Sequence, residues 1–214
     1  MFNDKYQLTK AVLEGRKTMT RRLVQSNNIV EITTSDGVNH HVDGTCGSYH
    51  EYMDKDGKVW LAWSPYKVGE VVAIARPYKD IIARLSSRWN PHSHDWMREE
   101  KGWNNKMFVR ANLMPHRIRI TDIKMERLQD ISREDCLLEG IEHDVADGAG
   151  LWWWSMDDMK LQNELMRHEW HGKKGCWFWD TPQGAFAALI DKINGKGTWD
   201  SNPFVFAYTF KLED

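Results

Sequence analysis

The sequence predicts an α+β fold in which a strand-rich core carries short helices. Two segments show the two-residue alternation of strands: residues 117–123, with three isoleucines, and residues 204–210, with four aromatic side chains on one side. Three other segments combine helical spacing with residues that begin or end helices. Because closing such a sheet would remove its exposed edges, we expect a small mixed β-barrel with three short helices.

The first helix and the strand after it lie within the first 22 residues. Leu8, Ala11 and Val12 follow the spacing of one helical face, and Gly15 falls where a left-handed residue would end the helix. Residues 18–22 then alternate as a strand. The bend between the two elements is crowded with cations. They are Arg16, Lys17, Arg21 and Arg22.

The later elements have their own boundary signals. Ser132 and Asp135 form a capping-box pattern for a helix that Gly140 ends, and Thr181 with Pro182 begins the last helix. A β-hairpin is predicted with its turn at Asp56 and Gly57. Further strands are predicted at residues 27–39, 58–63, 71–74 and 107–113, with 71–74 buried.

Composition disfavours several classes of protein. The 214 residues are 41% hydrophobic and 28% charged, which is typical of a folded globular chain. A net charge of −2 argues against coating nucleic acid through bulk electrostatics, so any such contact must be local. Three cysteines without a C-x-x-C pair favour a reducing cytoplasm over a disulfide framework. The sequence has no hydrophobic leader and no membrane-spanning run, so no membrane partner is expected.

Four segments together resemble one known family. Gly15, Lys17, Thr20 and Arg22 fill the pattern G-x-K-x-x-T-x-R, which resembles the signature of the ASCH domain, a branch of the PUA-like superfamily. Three later segments occur in the order found in that family and strengthen the resemblance. They are residues 67–72, 120–141 and 193–210, the last two being most similar to the longer ASCH proteins of phages and prophages.

The resemblance implies a fold and an organisation. We expect a single PUA-like pseudobarrel domain over residues 1–214, with insertions at about residues 27–65, 79–105 and 144–181 relative to a minimal ASCH domain. The third insertion holds six of the twelve tryptophans. Its composition supports an alternative function, a non-catalytic phage accessory protein that contacts a protein partner through this insertion.

A lysine, a hydroxyl and a carboxylate held together can catalyse acyl transfer without a metal or a cofactor. A neutral lysine accepts a proton, a threonine attacks a carbonyl or orients a water molecule, and the carboxylate passes a proton to the leaving nitrogen. The resemblance implies such a trio, Lys17, Thr20 and Glu139, since one ASCH branch hydrolyses N4-acetylated cytidine. Glu134 and Asp135 remain alternatives to Glu139. Residues 17 and 20 point to opposite faces of a regular strand, so their convergence requires the turn to extend through residue 17.

The resemblance also implies a pocket for RNA or for a modified nucleobase or nucleoside. Arginines would contact phosphates and aromatic side chains would stack on the base. The candidate ligand-binding residues are Arg16, Arg21, Arg22, Arg76 and Asn202. The structural alternative for Lys17 and Arg22 is a solvated basic edge that discourages sheet pairing.

Two groups of histidines and cysteines are candidate metal ligands. The first contains His40, His41, Cys46 and His50, and the second contains His168, His171 and Cys176. Neither group has a familiar zinc spacing, and closed structural zinc sites use four ligands. We therefore expect no metal.

Overall fold

The computed structural model describes residues 2–25, 29–32, 48–85, 92–144, 151–153 and 179–213. These residues form an α+β fold of helices and antiparallel sheets. The strands are β1 (Met19–Leu23), β2 (Ile29–Ile32), β3 (Ser48–Met53), β4 (Val59–Ser64), β5 (Val71–Ala73), β6 (Arg117–Arg127), β7 (Glu142–Asp144), β8 (Leu151–Trp153) and β9 (Phe204–Glu213). The α-helices are α1 (Leu8–Leu13), α2 (Tyr78–Leu85), α3 (Arg133–Leu138) and α4 (Pro182–Asn194).

The central sheet has four strands in the order β1-β9-β6-β5 and curls into a half barrel. The predicted strands near residues 18–22, 117–123 and 204–210 are confirmed as β1, β6 and β9. The register of β6 against β9 shifts between Ile120 and Asp122, which indicates a β-bulge. This bulge explains why the isoleucines of β6 lie at 118, 120 and 123 rather than at strict alternate positions.

Both faces of β9 are covered, each by a different layer. On one face Phe204, Phe206 and Tyr208 pack toward the small sheet β2-β4-β3, whose Trp60 ring lies 5.2 Å from that of Phe204. On the other face Val205 packs in a cluster with residues of α1, α3 and α4. Polar side chains on this second face therefore lie between the sheet and the helices.

The helix boundaries follow the predicted signals. Gly15, with φ of +73°, follows the end of α1. The Ser132 hydroxyl accepts a hydrogen bond from the Asp135 N–H at the start of α3, and the Thr181 hydroxyl accepts one from the Gly184 N–H at the start of α4. The predictions for all three helices are confirmed.

Several expectations about the strands need correction. Residues 107–113 form short 3-10 turns rather than a strand. Val71 is exposed, because β5 lies at the edge of the central sheet. All strand pairs within the described ranges are antiparallel, so the parallel pairing of a mixed barrel is not observed there. The hairpin with its turn at Asp56 and Gly57 is confirmed, as β3 and β4.

The segments predicted as insertions differ in what the structure describes. The first contains β2, β3 and β4, and the second contains most of α2 and two 3-10 turns. In the third, only Asp144 at the end of β7, β8 and residues 179–181 are described. The sequence of residues 156–170 also has helical character, but this segment and three of the six tryptophans, Trp154, Trp170 and Trp177, lie outside the described residues. Of the described helices, none has the length and apolar character required to cross a bilayer.

Candidate active site

The bend between α1 and β1 sets the direction of Lys17. The Arg16 and Lys17 N–H groups both donate to the Ala11 carbonyl, at 2.9 and 3.0 Å, so the turn extends through residue 17 and β1 begins only at Met19. The Thr18 N–H then donates to the Leu138 carbonyl at 2.9 Å, which attaches the bend to the end of α3. The geometric condition for Lys17 and Thr20 to face the same side is therefore met.

The buried amine of Lys17 contacts Glu139. Lys17 Nζ lies 2.6 Å from Glu139 Oε2 and donates a second hydrogen bond to the Glu139 carbonyl at 2.8 Å. The two side chains are 2% and 5% exposed. Because water is nearly excluded from the pair, its protonation depends on the protein around it rather than on solvent.

The turn at the C-terminus of α3 places two oxygen atoms of Glu139, the carbonyl oxygen and Oε2, against Lys17. The Gly140 N–H donates to the Leu137 carbonyl and the Ile141 N–H donates to the Cys136 carbonyl, which is the Schellman arrangement. Gly140 adopts φ of +96°, a conformation that a side chain disfavours. This turn leaves the Glu139 carbonyl free to accept from Lys17, whose positive charge also suits the negative end of a helix.

Burial lowers the pKa of Lys17 below its ordinary value, and the charges of Arg22 and Arg21 act in the same direction. The Glu139 carboxylate opposes this shift, but the net direction is downward. A lysine with a lowered pKa is a better proton acceptor near neutral pH than a solvated one. The environment therefore favours a role for Lys17 as a base.

Thr20, Arg21 and Arg22 join this pair around a small cavity of about 50 Å³, which we call the charged chamber. Phe2 and α4 close its other sides. Its lining residues include Lys17, Thr20, Arg21, Arg22, Glu139 and Phe2. The predicted lysine, threonine and glutamate therefore lie on the wall of one cavity.

A second cavity of about 140 Å³ adjoins the first, and we call it the aromatic chamber. It shares Phe2, Thr20 and Arg22 with the charged chamber. Its remaining wall is apolar apart from two tyrosines, Tyr66 and Tyr208, whose rings lie edge to face at 5.5 Å. The Tyr208 hydroxyl lies 3.0 Å from Ser64 Oγ, and burial raises the pKa of Tyr208. This chamber has the flat aromatic surfaces that stack on rings.

The guanidinium of Arg21 is buried behind the charged chamber among three carboxylates. It contacts Glu126 at 2.6 Å, Asp135 at 2.6 Å and Glu139 at 3.2 Å. Sequence reasoning missed Glu126, because its position in β6 resembles one of the polar residues on a solvated face. The local sequence holds no signal for the burial of Glu126, because its partner Arg21 lies 105 residues away along the chain.

Other predicted residues lie away from the two chambers. Arg16 pairs with Glu14 and Glu142 at 2.7 and 3.0 Å, and Arg76 lies 4.0 Å from Asp80. The Asn202 side chain accepts a hydrogen bond from the Gln129 N–H in a turn, with φ of +43°.

The alternatives to Glu139 also have defined positions. Asp135 is half-buried against Arg21, and Glu134 is exposed on α3. Neither residue lines the charged chamber. Of the three carboxylates considered, Glu139 alone contacts Lys17 in the part of the chain that the structure describes.

The residues proposed as metal ligands are largely outside the described residues, and only His50 is placed. Its ring lies edge to face with Phe206 at 5.6 Å, and burial lowers its pKa. Within the described ranges no group of three or more histidine, cysteine, aspartate or glutamate side chains has the arrangement of a metal site.

Comparison with known proteins does not assign a family. No family model, no curated protein and no solved structure matches the chain. The geometry of the two chambers is therefore the basis for any functional inference.

Proposed function

We propose that this chain is an ASCH-type protein with a PUA-like pseudobarrel, that its two chambers receive one modified nucleobase or nucleoside, free or within RNA, and that it hydrolyses the amide of an N4-acylated cytidine. The observation that carries this proposal is the shared cavity of Lys17, Thr20 and Glu139, with the amine 2.6 Å from the carboxylate. A buried lysine with a lowered pKa beside a hydroxyl and an acid is suited to acyl transfer.

The aromatic chamber supports a single ring as the ligand. Its volume of about 140 Å³ is close to that of an engineered apolar cavity of about 150 Å³ that binds benzene. A six-membered pyrimidine ring is of similar size, whereas a whole nucleotide is larger. Tyr66 and Tyr208 supply aromatic contacts, and Arg22 at the shared wall supplies a fixed positive charge.

The reaction follows from the groups of the charged chamber. Transfer of one proton along the contact between Lys17 and Glu139 gives a neutral amine and a neutral acid. In one route the amine accepts the proton of the Thr20 hydroxyl, and the Thr20 oxygen attacks the acyl carbon. In the other route the amine accepts a proton from a water molecule that Thr20 orients, and the water oxygen attacks the acyl carbon. The bond between the acyl carbon and N4 breaks, and Glu139 donates its proton to N4 as cytidine leaves. In the threonine route, a water molecule then hydrolyses the ester on Thr20 and releases the carboxylic acid; in the water route, the acid forms directly when the bond to N4 breaks.

The test is incubation of the protein with N4-acetylcytidine, with cytidine and acetate measured by chromatography. We expect turnover that Thr20→Val and Glu139→Gln each reduce by about 10²-fold or more. Thr18→Val is the matched control, since Thr18 is a neighbouring threonine that lines neither chamber, and it should retain activity. Turnover that survives Lys17→Ala would refute the assigned chemistry.

A further inference from the structure

The Arg21 guanidinium contacts three carboxylates. Its Nε donates to Glu126 Oε1 at 2.7 Å, one terminal nitrogen donates to Asp135 Oδ2 at 2.6 Å, and the other donates to Glu139 Oε1 at 3.2 Å. The side chain is 0% exposed. Glu126 is itself buried and lies 2.6 Å from the exposed amine of Lys124.

These contacts leave Arg21 no donor for a ligand. A guanidinium has five N–H groups. Here Nε donates to Glu126, one terminal nitrogen donates to Glu139 and to Met19 Sδ at 3.2 Å, and the other donates to Asp135 and lies 2.6 Å from Glu126 Oε1. Arg22, the next cation along β1, instead lines both chambers. The two adjacent arginines therefore have different environments, and only Arg22 faces the aromatic chamber.

We propose that Arg21 is a positioning residue that fixes the Glu139 carboxylate between two cations, with Glu126 and Asp135 holding the guanidinium in place. Glu139 Oε1 contacts Arg21 and Oε2 contacts Lys17, so rotation of the carboxylate would break one of the two contacts. The catalytic consequence rests on the proposed function, but the arrangement of charges does not.

The electrostatic consequence has a definite sign. The Arg21 charge disfavours a proton on Lys17, whereas Glu139, Asp135 and Glu126 favour one, and Arg22 acts in the same direction as Arg21. Burial alone would disfavour the charge on Arg21, but Glu139, Glu126 and Asp135 overcome it and raise the pKa of Arg21. Removing Arg21 should therefore make Lys17 easier to protonate, and neutralising Asp135 should make it harder.

The experiment compares Arg21→Gln, Arg21→Lys and Asp135→Asn with the parent protein in the pH profile of kcat/KM for N4-acetylcytidine. We expect Arg21→Gln to lower kcat by about 10²-fold through misplacement of Glu139 and to move the acidic limb to higher pH. Arg21→Lys keeps the positive charge, so its loss in kcat and its shift of the acidic limb should both be smaller than those of Arg21→Gln. Asp135→Asn, at a side chain that is 24% exposed, should move the acidic limb to lower pH. Arg119→Gln is the matched control, because Arg119 is paired with Glu213 on the same sheet and lines neither chamber, and it should leave the profile unchanged.

A second readout separates this proposal from the proposed function. The titration of the Lys17 side-chain nitrogen can be followed by NMR in the parent protein, Arg21→Gln and Asp135→Asn. We expect the pKa of Lys17 to rise in Arg21→Gln and to fall in Asp135→Asn, even in a protein without turnover. Failure of hydrolysis with these NMR shifts would reject the amidohydrolase activity and support the positioning role. If Arg21→Gln does not fold, the shift in Asp135→Asn decides. Folded variants whose Lys17 titrates as in the parent protein would overturn the positioning role.

Discussion

The charged chamber and the aromatic chamber share Phe2, Thr20 and Arg22 but differ in what the rest of their walls provide. The charged chamber contains the buried Lys17–Glu139 pair, with Arg21 behind it. The aromatic chamber is lined by aliphatic side chains of β5 and β6, by Tyr208 and Phe210 of β9, and by Tyr66. One chamber therefore contains buried ionisable groups, and the wall of the other is mainly aromatic and aliphatic.

Under the proposed function, we expect the charged chamber to determine reactivity and the aromatic chamber to determine ligand affinity. Removing two charges from water costs several kcal/mol per ion, and the attraction between them does not always repay it, so a buried pair is weak evidence for stability. An apolar aromatic wall, by contrast, contributes to both packing and ligand binding. We therefore expect substitutions in the charged chamber to change kcat and those in the aromatic chamber to change ligand affinity.

The largest expected effect comes from Lys17→Met, which removes the base and keeps an unbranched apolar stem. We expect kcat for N4-acetylcytidine to fall by about 10²- to 10⁴-fold, the usual contribution of general base catalysis. Ligand affinity, measured by calorimetry, should change much less, since the aromatic chamber is intact. Lys10→Met is the control, because Lys10 is 62% exposed on α1 and should retain full activity. An equal loss in affinity and in kcat would show that the two chambers do not act separately.

Tyr66→Ala tests the aromatic chamber. Stacking of a base on an aromatic side chain contributes about 1–3 kcal/mol, so affinity for the nucleoside should fall about 5- to 150-fold. The Lys17 titration should not move. Tyr52→Ala provides a matched tyrosine, since the Tyr52 ring packs edge to face on Phe204 at 5.4 Å and lines neither chamber. Equal losses in the two variants would mean that Tyr66 acts only through packing.

Gly140→Ala tests whether the turn after α3 holds Glu139 in place. An alanine at φ of +96° is strained, and we expect a loss of about 1–3 kcal/mol in the free energy of unfolding, measured with urea. The new methyl group has room, since its nearest neighbour would be Lys17 Cβ at 3.6 Å. Gly57→Ala is the matched control: at φ of +78° with open space around it, it should lose similar stability without affecting hydrolysis. Unchanged kcat in Gly140→Ala would argue against a role for this turn in positioning Glu139.

The smallest expected effect is a pH dependence of stability that comes from Lys17. Burial lowers the pKa of Lys17 in the folded protein below the ordinary value of 10.5, so between the two pKa values the unfolded chain holds a proton that the folded chain has released. The contribution of Lys17 to stability should therefore grow as pH rises toward 10.5 and be lost as pH falls to the folded pKa. Urea titrations at pH 8 and at pH 10 measure the difference in unfolding free energy between the parent protein and Lys17→Met. From pH 8 to pH 10 this difference should shift in favour of the parent protein. A difference that is independent of pH would contradict the lowered pKa.

Local signals predicted much of the fold, because caps and glycines act over a few residues. Gly15, Ser132 and Thr181 each mark a boundary that the structure confirms. The failure at residues 107–113 has the opposite cause. Its apolar residues suggested a strand, but Phe108 is exposed, and Val109 and Leu113 pack against a buried cluster that includes residues of α2, so tertiary contacts overrode the local pattern.

The candidate site shows the same limit. The signature and the position of Glu139 could be obtained from the sequence, and the structure brings Lys17, Thr20 and Glu139 to one cavity. The burial of Arg21 and its contact with Glu126 could not be obtained from the sequence. The two residues are 105 positions apart, and the helices cover the second face of β9 only in the assembled fold. A charged residue on a strand gives no local sign of whether a helix will cover it.

The most direct test that the two chambers hold one substrate is a crystal structure of Lys17→Met soaked with N4-acetylcytidine. We expect the pyrimidine ring in the aromatic chamber beside Tyr66 and Tyr208, with the acetyl group in the charged chamber next to Thr20 and Glu139. A nucleoside bound elsewhere on the protein, or two empty chambers at saturating ligand, would contradict it.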